Sequence, residues 1–302
     1  MRTWWSLFAA AVLLLLPAST PAAISSQDSL LLNGQLRRYT IYSPDDNAGA
    51  ARLPIFIVLH GGLGNGYYVA RQTGVMNYVD RNKFIAVFPE GENAHWNDGR
   101  STMSSGPDDV AFLRELVSSI AQKSVGDPTR VFIAGISNGG MMAQRMACDA
   151  ADVVTAIGAV AANMPADLIH RCRPSRPVPV VLFNGTGDRI MPWSGGSIAR
   201  SKIFDTPGGK VVSAMDTFDF WSQIDGCGQK AVDIVPATHV ERHTSSDCQA
   251  GSKVMLYAID RGGHGWPGSI PRTDFERAIA GYVTTEISAS VILIQFFRQY
   301  GL

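Results

Sequence analysis

The chain has 302 residues, of which 46% are hydrophobic, and its 26 Lys and Arg residues are balanced by 26 Asp and Glu residues. This balance argues against a basic surface for nucleic acid or a polybasic membrane-binding segment, so neither is an expected partner. A chain of this length and apolar content can bury a large core. No internal repeat, charge block or Pro/Ser-rich linker divides it, so we expect one domain.

The first residues predict export. Arg2 precedes an apolar stretch, Leu7 to Leu16, which is followed by small residues and proline from Ala18 to Ala23. This order is typical of a secretory signal peptide, and the apolar stretch is too short to span a bilayer. We therefore expect residues 1–23 to be removed, leaving residues 24–302 as a soluble secreted domain, extracellular or periplasmic.

Strand signals recur along the rest of the chain. Two extended stretches flank Asn33 and Gly34, a pair that favours a hairpin turn. Continuous apolar runs then follow at residues 54–60, 84–89, 131–134, 153–161, 178–183 and 254–259. Such runs indicate strands that are buried on both faces, as in a parallel sheet covered by helices.

Helical signals alternate with these runs. Apolar residues recur at helical spacing after Asp108, a helix-like stretch covers residues 140–148, and another extends from Ser288 to Tyr300. The alternation predicts an α/β fold with a mostly parallel central sheet and helices on both faces.

A G-x-S-x-G pattern at residues 135–139 contains the candidate nucleophile. The serine is Ser137, an apolar run leads into the pattern, and a helical stretch leads out of it. A strand that turns sharply into a helix presents its serine at the tip of the bend, and the glycines allow close backbone packing. The pattern predicts a nucleophile elbow; the alternative is an ordinary turn with a capping serine.

A serine nucleophile needs a histidine base and an acid that orients it, in the chain order serine, acid, histidine for this architecture. His264 follows the last apolar run in a glycine-rich loop, and Asp188 follows the run that ends at residue 183. We predict Ser137, Asp188 and His264 as catalytic residues. The other histidines after Ser137 lie in polar stretches and are expected to be structural or solvated.

The tetrahedral intermediate requires backbone N–H donors. The amide of Asn138, next to the nucleophile, is one expected donor, and the glycine-rich loop after the early strand supplies Gly62 as the other. A plain tight turn is the alternative for this loop. A phosphate-binding loop is disfavoured because neither G-x-G-x-x-G nor a following Gly-Lys-Ser/Thr is present.

The chain has four cysteines, an even number that favours disulfide bonds in an oxidising compartment. They allow three pairings, of which we favour Cys148 with Cys172 and Cys227 with Cys248. A zinc site is disfavoured, because no C-x-x-C or C-x-x-H spacing occurs.

Taken together, the motifs resemble the secreted polyhydroxybutyrate depolymerase and feruloyl esterase family of α/β-hydrolases. The matching segments are LHGG at 59–62, FPEG at 88–91, WN at 96–97, DDVAFL at 108–113, GISNGGMM at 135–142, NGTGD at 184–188, PWSGG at 192–196 and GGHGWPG at 262–268. The resemblance implies an α/β-hydrolase fold, the same Ser137, Asp188 and His264 triad, and the same two disulfides.

The sequence thus predicts a serine carboxylesterase that hydrolyses feruloyl, acetyl, hydroxybutyrate or short acyl esters through an acyl-enzyme. The mechanism needs no metal or organic cofactor, and no protein partner is indicated. Three tryptophans near the site loops are possible substrate contacts or, alternatively, packing residues: Trp96, Trp193 and Trp266. An acyltransferase or peptidase with the same triad, and a non-catalytic extracellular binding module, are the alternative functions.

Overall fold

The computed structural model describes residues 23–45, 52–199, 208–235, 239–271, 277–278 and 280–302. The predicted leader, residues 1–23, lies outside the described residues except for Ala23. The single domain predicted for residues 24–302 stays a prediction.

Among the described residues, one ten-stranded sheet forms the centre of the fold, and a two-stranded ribbon accompanies it. The strands are β1 (Ile24–Leu32), β2 (Gln35–Ser43), β3 (Leu53–Leu59), β4 (Ile85–Pro89), β5 (Gly126–Ile136), β6 (Ala156–Val160), β7 (Val180–Gly185), β8 (Gly196–Ser197), β9 (Lys210–Val211), β10 (Gln229–Ile234), β11 (Val240–Ser246) and β12 (Val254–Ile259). The large sheet has the order β1-β2-β4-β3-β5-β6-β7-β12-β11-β10. Strands β4 to β12 in this order are parallel, and antiparallel strands extend both edges.

Strand β3 shows why the sheet is covered on both sides. All seven of its residues are buried. Successive side chains point to opposite faces, and Ile55 and Ile57 belong to one apolar cluster while Phe56 and Val58 belong to another. The continuous apolar runs therefore contribute side chains to two cores, one on each face of the sheet.

Helices cover both faces. They are α1 (Gly66–Thr73), α2 (Val79–Asn82), α3 (Asp109–Lys123), α4 (Asn138–Asp149), α5 (Ala166–Ile169), α6 (Ala214–Ile224) and α7 (Ala289–Arg298). Helices α3, α4 and α6 contribute to the cluster with Ile55, and α1 and α7 contribute to the cluster with Phe56. This arrangement confirms the predicted α/β fold. No helix among the described residues combines the length and the apolar character that crossing a bilayer requires.

The predicted elements appear with small shifts of their ends. The hairpin turns at residues 33–34, between β1 and β2, and each of the six apolar runs overlaps a strand of the central sheet. Strands β10 and β11, which form the antiparallel edge beside β12, are not among the predicted elements. Their exposed faces carry polar residues, so they lack the continuous apolar run by which the inner strands were recognised.

Strand register brings three loops to one edge of the sheet. Ile136 at the end of β5 pairs with Val160, Val160 pairs with Phe183 in β7, and Ile259 at the end of β12 pairs with Gly185. The carboxyl ends of these strands therefore lie along one edge, where open α/β sheets place their sites.

Two disulfides join segments that are separated in the sequence. They join Cys148 to Cys172 and Cys227 to Cys248, which confirms the predicted pairing. The first bond ties the end of α4 to the segment after α5, and the second ties the segment before β10 to the segment after β11.

Candidate active site

Ser137 occupies a sharp turn between β5 and α4. Its φ of 56° and ψ of −122° are unfavourable for a residue with a Cβ atom, and such conformations persist only where the surroundings enforce them. The Ser137 amide donates to the carbonyl of Val160 at 2.8 Å, and its carbonyl accepts from the amide of Met141 at 2.9 Å. Neighbouring strand and helix thus hold the strained turn.

Glycines around Ser137 allow this turn to form. A Cβ atom on Gly135 would lie 2.4 Å from backbone atoms of Gly139, and one on Gly139 would lie 2.4 Å from the carbonyl oxygen of His60. Real Cβ atoms do not approach this closely. The strand, the helix and the loop after β3 can therefore meet at Ser137 only because both positions lack side chains.

Asp188 and His264 form a hydrogen-bonded pair in the loops after β7 and β12. The Asp188 Oδ2 atom lies 2.8 Å from His264 Nδ1, and the exposed fractions of the two side chains are 1% and 9%. The other Asp188 oxygen, Oδ1, accepts from the amides of Ile190 and Met191, each at 2.8 Å. A carboxylate beside Nδ1 favours the tautomer with hydrogen on that atom, which leaves the Nε2 lone pair free to act as a base.

Backbone contacts fix the two loops against each other. The Gly187 amide donates to the carbonyl of Gly262 at 2.9 Å. A Cβ atom on Gly185 would lie 2.1 Å from that same carbonyl oxygen. Glycine at these positions lets the histidine loop approach the acid loop closely enough for the pair to form.

The loop after β3 approaches Ser137. A Cβ atom on Gly61 would lie 3.5 Å from the Cβ atom of Ser137. Within the loop, the amides of Leu63 and Gly64 donate to the carbonyls of Ala94 and Gly61, at 2.8 and 3.0 Å. Among the described residues, no protein acceptor is recorded for the amides of Gly62 and Asn138, so both have unused hydrogen-bonding capacity.

His60 supports this loop as a neutral, buried side chain. Its Nδ1 atom donates to the carbonyl of Gly61 at 2.7 Å, and its Nε2 atom accepts from the amide of Gly91 at 2.9 Å. Burial, the main cause, lowers the pKa of His60 to about 4, because the charged imidazolium would lose its hydration. His60 therefore stays neutral at pH 7 and acts as a structural link between two loops.

The three tryptophans considered as substrate contacts differ in burial. Trp96 and Trp266 are almost completely buried, and their indole N–H groups donate to the His60 carbonyl and to Ser290 Oγ. This burial favours the packing role for these two residues, because their rings have almost no surface open to a ligand. Trp193 is partly exposed and keeps its place as a possible contact.

A buried polar network that the sequence analysis missed lies beneath Ser137. The side chain of Asn138 bonds Trp96 and Asp98, and Asp98 forms an ion pair with Arg100 at 2.7 Å. The two ionic side chains are at most 3% exposed. Asp98 and Arg100 lie only two residues apart, but nothing in the sequence shows that this short polar segment is buried.

The strand order of the central sheet and the sharp turn at Ser137 are those of an α/β-hydrolase. Among the described residues, no hydrogen bond joins Ser137 to His264. The described part of the chain also contains no group of three or more His, Cys, Asp or Glu side chains arranged to hold a metal ion.

Comparisons with known proteins place the chain within this class. The model of the family described as Esterase PHB depolymerase matches residues 37–185. Feruloyl esterase B of Piromyces equi is 27% identical over 234 residues, which are 76% of this chain and 42% of that protein. Putative esterase NocK of Nocardia uniformis subsp. tsuyamanensis is 27% identical over 290 residues, covering 91% of this chain and 83% of that protein.

Solved structures show the same fold. An acetyl xylan esterase from Aspergillus awamori superposes with a TM-score of 0.55 at 14% identity, covering 85% of this chain and 99% of that chain. The chain is thus similar to the polyhydroxybutyrate depolymerase and feruloyl esterase family, and its fold is that of the α/β-hydrolases.

Proposed function

We propose that this protein is a secreted serine carboxylesterase with Ser137 as nucleophile, His264 as base and Asp188 as the orienting acid. The observation that carries the proposal is the buried Asp188–His264 hydrogen bond at the sheet edge that also holds the strained Ser137. Similarity to this esterase family supports ester hydrolysis, and the leader predicted for residues 1–23 supports export.

Chemistry begins with the neutral His264. Its Nε2 atom accepts the proton of Ser137 Oγ as that oxygen bonds to the carbonyl carbon of the ester. The carbonyl oxygen becomes negative and accepts hydrogen bonds from the unused amides of Gly62 and Asn138. The carbon–oxygen bond to the alcohol then breaks, and His264 delivers its proton to the departing alcohol.

The second half-reaction releases the acid. Water attacks the acyl-enzyme as His264 removes one of its protons, and the same two amides stabilise the second oxyanion. His264 returns the proton to Ser137 Oγ as the carboxylic acid departs. Asp188 accepts the hydrogen bond from Nδ1 throughout and stabilises the imidazolium that forms in each half-reaction.

The substrate class follows from the relatives. Relatives and structural neighbours bear the names feruloyl esterase and acetyl xylan esterase, so feruloyl and acetyl esters are the first candidates, with hydroxybutyrate oligomers suggested by the family description. The partly exposed Trp193 offers a ring face to an aromatic or sugar group. Rates on methyl ferulate, acetylated xylan and a hydroxybutyrate oligomer distinguish these classes.

The direct test is Ser137→Ala. We expect kcat for p-nitrophenyl acetate to fall by at least about a thousandfold, because the nucleophile is lost and only binding and oxyanion stabilisation remain. Ser118→Ala, which changes an exposed serine on α3, is the matched control and should retain wild-type turnover. Circular dichroism checks folding of both variants. Wild-type turnover by folded Ser137→Ala would reject the proposal.

A further inference from the structure

Two separate segments must supply the oxyanion donors of the proposed reaction. The amide of Gly62 belongs to the loop after β3, and the amide of Asn138 is the first of helix α4. Oxyanion stabilisation is effective only when both donors lie about 2.7–3.1 Å from the developing charge. The relative position of these two segments therefore bears directly on the rate.

A single buried residue is hydrogen-bonded to both segments. The indole Nε1 of Trp96 donates to the carbonyl of His60 at 3.0 Å, two residues before Gly62. The backbone amide of Trp96 donates to Asn138 Oδ1 at 2.7 Å, and the Trp96 carbonyl accepts from Asn138 Nδ2 at 2.9 Å. Side chain and backbone of one residue thus connect the two halves of the proposed oxyanion site.

Burial and neighbouring charge make this connection rigid. Trp96 is fully buried and stacks on Phe112, with ring centroids 6.4 Å apart and planes inclined by 10°. Asn138 Nδ2 also donates to Asp98 at 2.6 Å. Because a carboxylate only accepts hydrogen bonds, Asp98 fixes which end of the Asn138 amide carries the N–H groups, and so fixes both bonds to Trp96.

We propose that Trp96 is a positioning residue that holds the Gly62 and Asn138 amides at the separation required by the transition state. The inference rests on the proposed esterase activity. Trp96 touches no substrate in this role: it acts through the His60 carbonyl on one side and through the Asn138 side chain on the other.

The test compares two buried tryptophans. Trp96→Phe retains an aromatic ring against Phe112 and loses the indole donor to His60. Trp221→Phe is the matched control, because Trp221 is also fully buried and its indole donates to Gln144 Oε1 at 3.1 Å. Gln144 lies further along α4, and this bond involves neither His60 nor Asn138. Each variant loses one buried hydrogen bond and a similar side-chain volume, so the two should lose similar thermal stability.

The two variants should differ in their catalytic parameters. We expect Trp96→Phe to lower kcat for p-nitrophenyl acetate about tenfold at nearly unchanged KM, because donors displaced by a fraction of an ångström weaken the transition state more than the ground state. Binding of phenylboronic acid, which forms a tetrahedral adduct with the serine, should weaken by a similar factor. Trp221→Phe should leave kcat and the affinity for phenylboronic acid within about twofold of wild type, because it changes no bond to His60 or Asn138.

Asn138→Ala provides a second route should Trp96→Phe fold poorly. It keeps the backbone amide of residue 138 and removes the side chain that binds Trp96, so kcat should again fall with KM unchanged. In the double variant with Trp96→Phe, the fold-reduction in kcat should be smaller than the product of the two single reductions, because both changes act on one connection.

Two outcomes are distinguishable. Equal kcat and equal boronate affinity for Trp96→Phe and Trp221→Phe, with Asn138→Ala at wild-type turnover, would overturn the positioning role while leaving the esterase proposal intact. Retained turnover by Ser137→Ala would instead reject the proposed function and the positioning role together.

Discussion

Asp188 shows how single atoms define the role of a residue in this site. Its two carboxylate oxygens have separate partners: Oδ1 accepts from two backbone amides, and Oδ2 faces His264 Nδ1. The backbone amides fix the orientation of the carboxylate, and the carboxylate fixes the tautomer of the imidazole. One buried side chain thereby transmits the geometry of the loop after β7 to the proposed base.

Asp188→Asn should therefore abolish the proposed esterase activity without disturbing the fold. The backbone amides of Ile190 and Met191 will keep the remaining oxygen of the new side chain, so its NH2 group will face His264 Nδ1. This arrangement forces hydrogen onto Nε2, and the base is lost. We expect kcat to fall by about 10³- to 10⁴-fold with circular dichroism unchanged.

Asp216→Asn is the control for this change, because Asp216 is a carboxylate in the N-terminal capping box of α6. It should retain turnover and lose only a little stability. A reduction of less than tenfold for Asp188→Asn would contradict the assigned role of the acid.

At the scale of elements, the site depends on the close approach of β3, β5 and α4. Gly139 in the first turn of α4 packs directly on the backbone at the end of β3, and an added Cβ atom would lie 2.4 and 2.5 Å from the carbonyl oxygens of His60 and Leu59. The helix that carries Ser137 and Asn138 is therefore positioned by backbone contact with the loop that carries Gly62.

Gly139→Ala should separate these elements. The added methyl group cannot be accommodated against rigid backbone, so we expect a loss of about 1–3 kcal/mol in the free energy of unfolding, typical of overpacking. Esterase kcat should also fall, because α4 moves with its amide and its serine. Urea unfolding and steady-state kinetics on p-nitrophenyl acetate measure the two effects.

Gly228→Ala is the matched substitution, since the nearest atoms to its added Cβ atom lie 3.8 Å away. It should be neutral, or stabilising by up to about 1 kcal/mol through reduced entropy of the unfolded chain. Equal stability of the two variants would show that contact at Gly139 does not position the helix.

On the scale of the whole molecule, Asp225 joins distant parts of the chain. It lies at the end of α6, its Oδ1 accepts from the amide of Val178 before β7, and its Oδ2 accepts from Ser252 Oγ before β12. Asp225 is completely buried. Burial is the main cause that raises its pKa from 3.8 to about 6, against the smaller lowering effects of these hydrogen bonds and of Arg176.

The raised pKa predicts a stability that depends on pH. The folded state holds the Asp225 proton up to about pH 6, whereas the unfolded chain releases it near pH 4, so the stabilisation is complete below pH 4 and is lost as the pH rises through 6. A shift of this size corresponds to about 3 kcal/mol. Urea unfolding between pH 4 and 8 should show this decline in wild type and lack it in Asp225→Asn.

Asp219→Asn serves as the comparison on the same helix. Its carboxylate is half exposed and pairs with Lys230, so it should preserve the decline seen in wild type. A pH profile of Asp225→Asn that parallels wild type would contradict the assignment of this proton to Asp225.

Much of the fold was predictable, because the signals involved are local. A continuous apolar run reports burial on both faces, and an Asn-Gly pair reports a tight turn, so the inner strands and the first hairpin could be recognised from neighbouring residues alone. The antiparallel strands β10 and β11 escaped recognition because polar residues on their exposed faces interrupt the apolar run.

The sequence by itself determined which residues could serve the proposed chemistry: a serine in a glycine-rich turn, with an acid and a histidine after later strands in the required order. Of the three pairings that its four cysteines allow, the favoured one is confirmed by the structure. Only the tertiary structure decided that Asp188 meets His264, that Trp96 is buried beneath the site instead of facing substrate, and that Asp98 and Arg100 form an internal ion pair. The physical reason is that burial and hydrogen-bond partners depend on contacts between residues far apart in the chain, which no local pattern encodes.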